Sequence, residues 1–425
     1  MIKMILVETH IIKQSNKYYN EADQLCFLSK NLYNASNYVV RQQYFDNKTY
    51  LDYNHINKMF TDTDQPDYRS LPAKVSKGTQ RKLHSNWLSY FAARKDYFKY
   101  PEKYKSEPKI PKYLKKTGRF MVHYEKGALS FKRKGYINLS KTEIYIKTNL
   151  SKDVVSYVDI IPATHHIKFL IGYKVSEHEV KQNNNRYASV DLGVNNLAVV
   201  TSNVMKPVIF NGKPLKSINQ YANKKLAEYK SVRDNADNKN DLITKIRYQD
   251  KIDKLMLKRS NKIKDYLHKT STLLVNHLVS NDISVLIIGK NKYWKQDSNI
   301  GKRNNQNFVS IPFNIFINMI SYKCALKGIY VDFIDESYTS KVSFLDNDVI
   351  PTYKKNSKTR YVFSGMRIKR GLYVSAGKTK LNADVNGSLN ILRKYLISKV
   401  AWNNQLWFDC VEQCSNETIL KINVV

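Results

Sequence analysis

The chain has 425 residues, 42% hydrophobic and 12% aromatic, and 71 Lys and Arg against 36 Asp and Glu give a net charge of +35. That length supports several domains with a sizeable core, and the apolar content excludes wholesale disorder. Basic residues run from Lys3 to Lys421, so the implied partner is a polyanion: nucleic acid first, an acidic membrane surface second.

In chain order, residues 1–14 alternate as a first β-strand, with too short an apolar stretch for a signal peptide. Leu25, Leu28, Leu32, Ala35 and Val39, then Leu83, Trp87, Tyr90, Phe91, Arg94 and Phe98, recur at helical spacing. The polar stretch 61–72, with two prolines, reads as a loop between them. Residues 15–105 thus form a helical unit. Its Lys74, Lys77, Gln80 and Arg81 are candidates for nucleic-acid contact; a solvated helix start is the plainer alternative.

Short strands are expected at 119–123, 128–131, 136–139, 143–146, 154–161 and 166–174, the pattern of a small barrel or sandwich. With the first strand ahead of them, the helices look inserted into that barrel. Residues 183–185, all Asn, read as a linker. Apolar strands follow at 187–191 and 197–202, then a lysine-rich helical pair over 219–280. The run 283–288, ending in Gly289, reads as a buried central strand. Pro312 opens a helix, Gly328 ends it, and 329–334 is the next strand, a βαβ unit with a parallel sheet. Residues 337–381 are basic and irregular, and 382–396 form a last amphipathic helix.

No run of about 18 apolar residues occurs, so no transmembrane span is expected. Cys26, Cys324, Cys410 and Cys414 form no CxxC pair, so neither a zinc ribbon nor a disulfide framework follows; reduced thiols in the cytoplasm are expected. Cys410 and Cys414, with Trp402 and Trp407, fit a small apolar patch in the tail 398–425.

Three acids stand where chemistry can occur. Asp191 ends an apolar strand before Gly193, Glu336 follows the end of the later strand, and Asp384 lies in the first turn of the last helix. Carboxylates at the carboxyl ends of parallel strands converge, and hard oxygen ligands suit Mg²⁺. Two such ions can clamp the attacking and leaving oxygens of a phosphodiester. Each acid also has a plainer role: a strand-to-turn step for Asp191, a surface strand end for Glu336, a favourable helix dipole for Asp384.

Val190-Asp-Leu-Gly-Val-Asn-Asn-Leu197 resembles the first RuvC motif of TnpB-type proteins of insertion sequences, and Asn382-Ala-Asp-Val-Asn-Gly-Ser-Leu-Asn-Ile391 resembles the third. Tyr33-Asn-Ala35, Arg41-Gln42, Pro108-Lys-Ile-Pro-Lys-Tyr113 and Asn305-Gln-Asn-Phe-Val-Ser-Ile-Pro-Phe313 extend the resemblance over nearly the whole chain. It implies an RNA-guided DNA nuclease related to type V CRISPR effectors. The fold implied is multidomain α/β: an RNase H-like (RuvC) domain at 183–336 with a helical insertion at 219–280, and a wedge-like β-barrel at 1–14 and 106–182. A helical recognition domain at 15–105 is inserted in that barrel, a degenerate ribbon lies at 337–381, and the last RuvC helix and tail lie at 382–425.

The implied partners are an omega-type guide RNA encoded beside the gene and double-stranded target DNA with a short flanking motif. The implied state is a monomeric bacterial ribonucleoprotein, cytoplasmic and nucleoid-associated when on target. Arg367, Lys369 and Arg370 of the ribbon remnant are candidates to hold phosphates.

Two departures matter. Family members usually carry the second acid as Glu at the position of Gly289, and the ribbon cysteines are missing, so no zinc is expected. Either the nuclease is dead and the chain is an RNA-guided repressor, or the acid has moved to Glu336, which leans across Gly289 as in some Fanzor relatives. Retained Asp191 and Asp384 favour the second, with Asp191, Glu336 and Asp384 holding two Mg²⁺ ions. A guide-independent transposase and a general RNA-binding protein are the other readings.

Overall fold

The computed structural model describes residues 3–176, 178–290, 302–352, 359–400, 402–414 and 419–424. Parts of the expected segments lie outside the described residues: 1–2 of the first strand, 177, 291–301, 353–358 of the basic segment, and 401, 415–418 and 425 of the tail. The chain divides into two units, Ile2–Ser176 and Glu177–Val425 with Met1. No described helix is long and apolar enough to cross a membrane.

The first unit runs β1 (Lys3–Lys13), then α1 (Tyr19–Asn47), α2 (Tyr53–Asp62), α3 (Pro66–Arg69) and α4 (Ala73–Lys99). Six strands follow: β2 (Val122–Glu125), β3 (Leu129–Ser130), β4 (Tyr136–Leu139), β5 (Tyr145–Lys147), β6 (Val155–Ala163) and β7 (His166–Ser176). They form a four-stranded sheet, β1-β7-β6-β2, and a three-stranded sheet, β3-β4-β5. β1 pairs antiparallel with β7 from Lys3 opposite Ser176 to Lys13 opposite His166. The helices therefore enter between neighbouring strands, and Leu32, Leu83 and Trp87 share one core with Val158, Phe169 and Ile171. Trp87 Nε1 donates to Asn37 Oδ1 at 3.0 Å, locking α4 to α1. The stretch 61–72 is not all loop. Pro66 suits a first helical turn, and the Gln65 side chain caps Tyr68 N at 2.7 Å, giving α3.

The second unit opens with β8 (Tyr187–Leu192), β9 (Asn196–Ser202) and β10 (Val208–Asn211), then α5 (Lys213–Asn238) and α6 (Leu242–Ser280). Next come β11 (Val285–Gly289), α7 (Lys302–Val309), α8 (Phe313–Ala325) and β12 (Tyr330–Ile334). It ends with β13 (Met366–Lys369), β14 (Leu372–Val374), β15 (Lys380–Asn382), α9 (Ala383–Lys399), α10 (Asn404–Glu412) and β16 (Leu420–Ile422). The main sheet has the order β12-β11-β8-β9-β10-β16. β11 is parallel to both β8 and β12, and β9 is antiparallel to β8. One face packs on α6 and α8 through Val190, Leu286, Ile288, Leu267 and Phe316; the other packs on α9 through Val199, Ile287, Leu389 and Ile391. Cys410 and Cys414 are buried in the second layer. The segment 337–381, expected to be irregular, holds the sheet β13-β14-β15. Its strands of three or four residues are too short to show alternation in sequence.

Candidate active site

Strand alternation decides which side chains reach the site. On β8, Ala188, Val190 and Leu192 belong to the α6–α8 layer, which leaves Tyr187, Ser189 and Asp191 for the α9 side. On β11, Val285 and Ile287 belong to the α9 layer, and Gly289 continues that parity. Gly289 pairs with Ile334, the last residue of β12. Two residues on, Glu336 places Oε2 3.0 Å from the point a Cβ on Gly289 would occupy, and Ile391 Cδ1 lies 2.6 Å from that point. Because β12 stops at Ile334, Asp335 is freed from alternation. It turns instead to accept from Ser337 N at 3.0 Å and Lys394 Nζ at 3.2 Å.

Asp384 enters from the first turn of α9. Asn382 Oδ1 caps this helix, accepting from Asp384 N at 2.9 Å and Val385 N at 3.3 Å. Asp384 Oδ2 accepts from Asn196 Nδ2 at 2.7 Å, and Oδ1 from Arg367 Nη2 at 3.2 Å. A buried hydroxyl network holds α9 on the sheet: Ser189 Oγ donates to Ser388 O at 2.7 Å and Thr201 Oγ1 to Ser388 Oγ at 2.9 Å. Gly387 permits the approach, since a Cβ there would lie 2.9 Å from Asp191 Oδ2. Sequence reasoning assigned no role to Asn196, Gly387 or Ser388; the small pair three and four positions after Asp384 was the available signal.

The acids act on one another. Burial first, then the charges of Glu336 and Asp384, hold the Asp191 carboxyl well above the usual carboxylate range, while Arg367 pulls it down. Burial, then Asp335, push Glu336 up to about 7, against the pull of Lys394. Crowded carboxyls of this kind are what a divalent cation relieves, and an all-oxygen donor set suits Mg²⁺. Among the described residues, no three His, Cys, Asp or Glu side chains are gathered closely enough to hold a metal ion. The cation that touches Asp384 in this structure is the Arg367 guanidinium.

The segment after β12 is tied to α9. Asn386 Nδ2 donates to Val342 O at 2.8 Å, its Oδ1 accepts from Phe344 N at 3.0 Å, and Asn390 Nδ2 donates to Thr339 O at 3.0 Å. Buried Arg393 donates to Asn347 Oδ1 at 2.9 Å and Asp348 O at 2.7 Å. Arg367 and Lys369 lie on exposed β13, and Arg370 sits at its turn to β14.

The other candidates for nucleic-acid contact lie on α4 of the first unit. Lys74 and Arg81 are exposed and Lys77 is half-buried. Arg81 pairs with Glu125. Gln80 does not share their surface. It falls on the buried stripe with Ser76, Leu83 and Trp87, is 1% exposed, and neither amide atom has a hydrogen-bond partner. Beside it, Gly78, Arg81, Lys82, Ser85, His123 and Asp159 help to line a cavity of about 330 Å³.

Known proteins match along the chain. The family model "OrfB_IS605: Probable transposase" matches residues 170–295, and "Cas12f1-like, TNB domain" matches 313–391. A TnpB-like protein, ORF457, of Acidianus two-tailed virus is 22% identical over 416 residues, covering 87% of this chain and 82% of its own. Among solved structures, a Cas12f1–sgRNA–target DNA complex overlaps with a TM-score of 0.48 at 14% identity, over 88% of this chain and 82% of that one. CasPhi-2 (Cas12j) bound to crRNA gives 0.44 at 9% identity, over 95% and 99%. Together, the transposase model, the TNB model that follows it and the viral relative make this chain similar to TnpB-type proteins.

Proposed function

We propose that the chain is an RNA-guided, Mg²⁺-dependent DNA endonuclease of a transposable element. The observation that carries the reading is Glu336 seated over Gly289, on the side of the sheet that also presents Asp191 to the first turn of α9. Asp191, Glu336 and Asp384 would hold the metal. Bound Mg²⁺ supplies an activated water and charge compensation at the leaving 3′-oxygen. Glu336 would serve as a ligand in its carboxylate form, and Asn196 fixes the Asp384 carboxylate through Oδ2. Ser388 and Gly387 hold α9 against the strand that carries Asp191.

The first unit is the wedge-like barrel with its inserted recognition helices. The cavity beside Arg81 and Lys82, with Lys74 and Lys77 along α4, reads the motif next to the target. Guide–target pairing carries the sequence specificity. Tyrosines, 31 in all, suit stacking on unpaired bases, and the α5–α6 pair adds positive charge. The particle is a cytoplasmic ribonucleoprotein with one copy of this chain.

The test is to purify the chain with its flanking transcript and supply a guide-matched duplex carrying a randomised flank, with Mg²⁺. Guide-dependent double-strand breaks beside one flank sequence are expected. Guide-dependent binding without cutting would make the chain a repressor, and end-specific DNA joining without RNA would make it a transposase.

A further inference from the structure

We propose that Arg367 is a built-in competitor of the metal: in the metal-free chain its guanidinium takes the cation's position at Asp384, and it leaves that position for a nucleic-acid phosphate. This rests on the nuclease reading of the same site and adds its regulation.

The geometry supports each half. Arg367 Nη2 lies 3.2 Å from Asp384 Oδ1, while Oδ2 is held by Asn196. A guanidinium and a divalent ion cannot share one carboxylate oxygen at contact without strong repulsion. Arg367 also acts on Asp191, where it offsets part of the crowding by Glu336 and Asp384. A second arginine straps the same hairpin: with its side-chain oxygen turned to the guanidinium, Asn195 accepts from Arg370 Nε at 3.1 Å and Nη2 at 3.2 Å. Asn195 is the neighbour of Asn196, so the Arg370 strap lands beside the residue that holds the other oxygen of Asp384.

Strand β13 is otherwise lightly held. Every residue of β13 is exposed, with Met366 at 67% and Ile368 at 61%, and its register with β14 is broken between Arg367 and Lys369. Buried Tyr373 anchors β14 beside it, while β13 itself has no packed face. The ion pair it must break is half-exposed, a kind that contributes little. A phosphate offers Arg367 two oxygens where Asp384 gives it one, and Lys369 and Arg370 beside it add charge for the strand. Substrate arrival thus clears Asp384 for the ion, so metal loading follows nucleic-acid binding.

The test uses the full chain and Mn²⁺ as the probe, with free Mn²⁺ read by electron paramagnetic resonance and no cutting assayed. Arg367→Gln should bind Mn²⁺ about three- to five-fold more tightly than wild type, the scale of a half-exposed ion pair. Arg370→Gln should shift affinity the same way by less. Asp191→Asn identifies the site by removing it. A saturating single-stranded oligonucleotide should narrow the gap between wild type and Arg367→Gln. Equal or weaker Mn²⁺ binding by Arg367→Gln and Arg370→Gln, with Asp191→Asn still removing the site, would overturn the competition. A gap unchanged by the oligonucleotide would overturn the exchange for phosphate. Mn²⁺ binding untouched by Asp191→Asn would instead sink the nuclease reading beneath both.

Discussion

The floor of the site and the strap beside it are built in opposite ways. Under α9, Val285, Ile287, Leu389 and Ile391 pack together, and the Ser189–Thr201–Ser388 network ties the helix to the sheet. In the segment 337–382, carboxylates do the ordering. Asp348 accepts from Ser343 N at 3.1 Å, Ser364 N at 3.0 Å and Ser364 Oγ at 2.5 Å. Asp346 accepts from Ser343 Oγ at 2.5 Å and Ala376 N at 2.9 Å. A packed floor fixes Asp191 and Glu336, whereas a hydrogen-bonded strap carries Arg367. Distant stretches of the strap are thus tied without cysteines, by carboxylates that each hold two of them together.

Substitutions in the two regions should therefore fail differently. Asp191→Ala should lower cutting by about a thousandfold or more, the scale of lost metal-ligand stabilisation, while guide RNA binding stays intact. Gly387→Ala puts a methyl against Asp191 Oδ2, so either α9 lifts or the Asp191 carboxylate turns. Cutting should fall about ten- to a hundredfold, and the thermal midpoint should drop in line with about 1–3 kcal/mol of overpacking. In the strap, Asp348→Ala leaves two buried or turn N–H groups and a hydroxyl without their acceptor. It should cost about 1–3 kcal/mol by thermal unfolding, and a zinc chelator should leave the wild-type midpoint where it was.

The last effect is in pH. Glu336 titrates near 7 in the folded, metal-free chain and near 4.3 when unfolded. Between those values the folded state holds more protons, so stability falls as pH rises through that window. The loss should be about 1–3 kcal/mol, and Glu336→Gln should flatten it in denaturant titrations at successive pH values.

Most of the floor was legible in the sequence. Apolar runs mark β8 and β11, the Pro312–Gly328 frame marks α8, and the spacing after Asn382 marks α9. Alternation on β8 and β11 then assigns Asp191 and Gly289 to one side. The strap was not legible, because hydrogen bonds accepted by Asp346 and Asp348 and donated by Arg393, spanning up to 46 positions, leave no period to read. Gln80 shows the converse limit: a polar residue four positions from Ser76 and seven from Trp87 joins a buried stripe although its chemistry suggests a surface.

The measurement to make first compares wild type with Glu336→Ala, each assembled with its guide and given matched duplex and Mg²⁺. Double-strand breaks by wild type that vanish in the variant, with guide and target binding unchanged, are expected if Glu336 supplies the acid that Gly289 does not. Equal cutting by both would make Glu336 structural and place the second acid elsewhere in the chain.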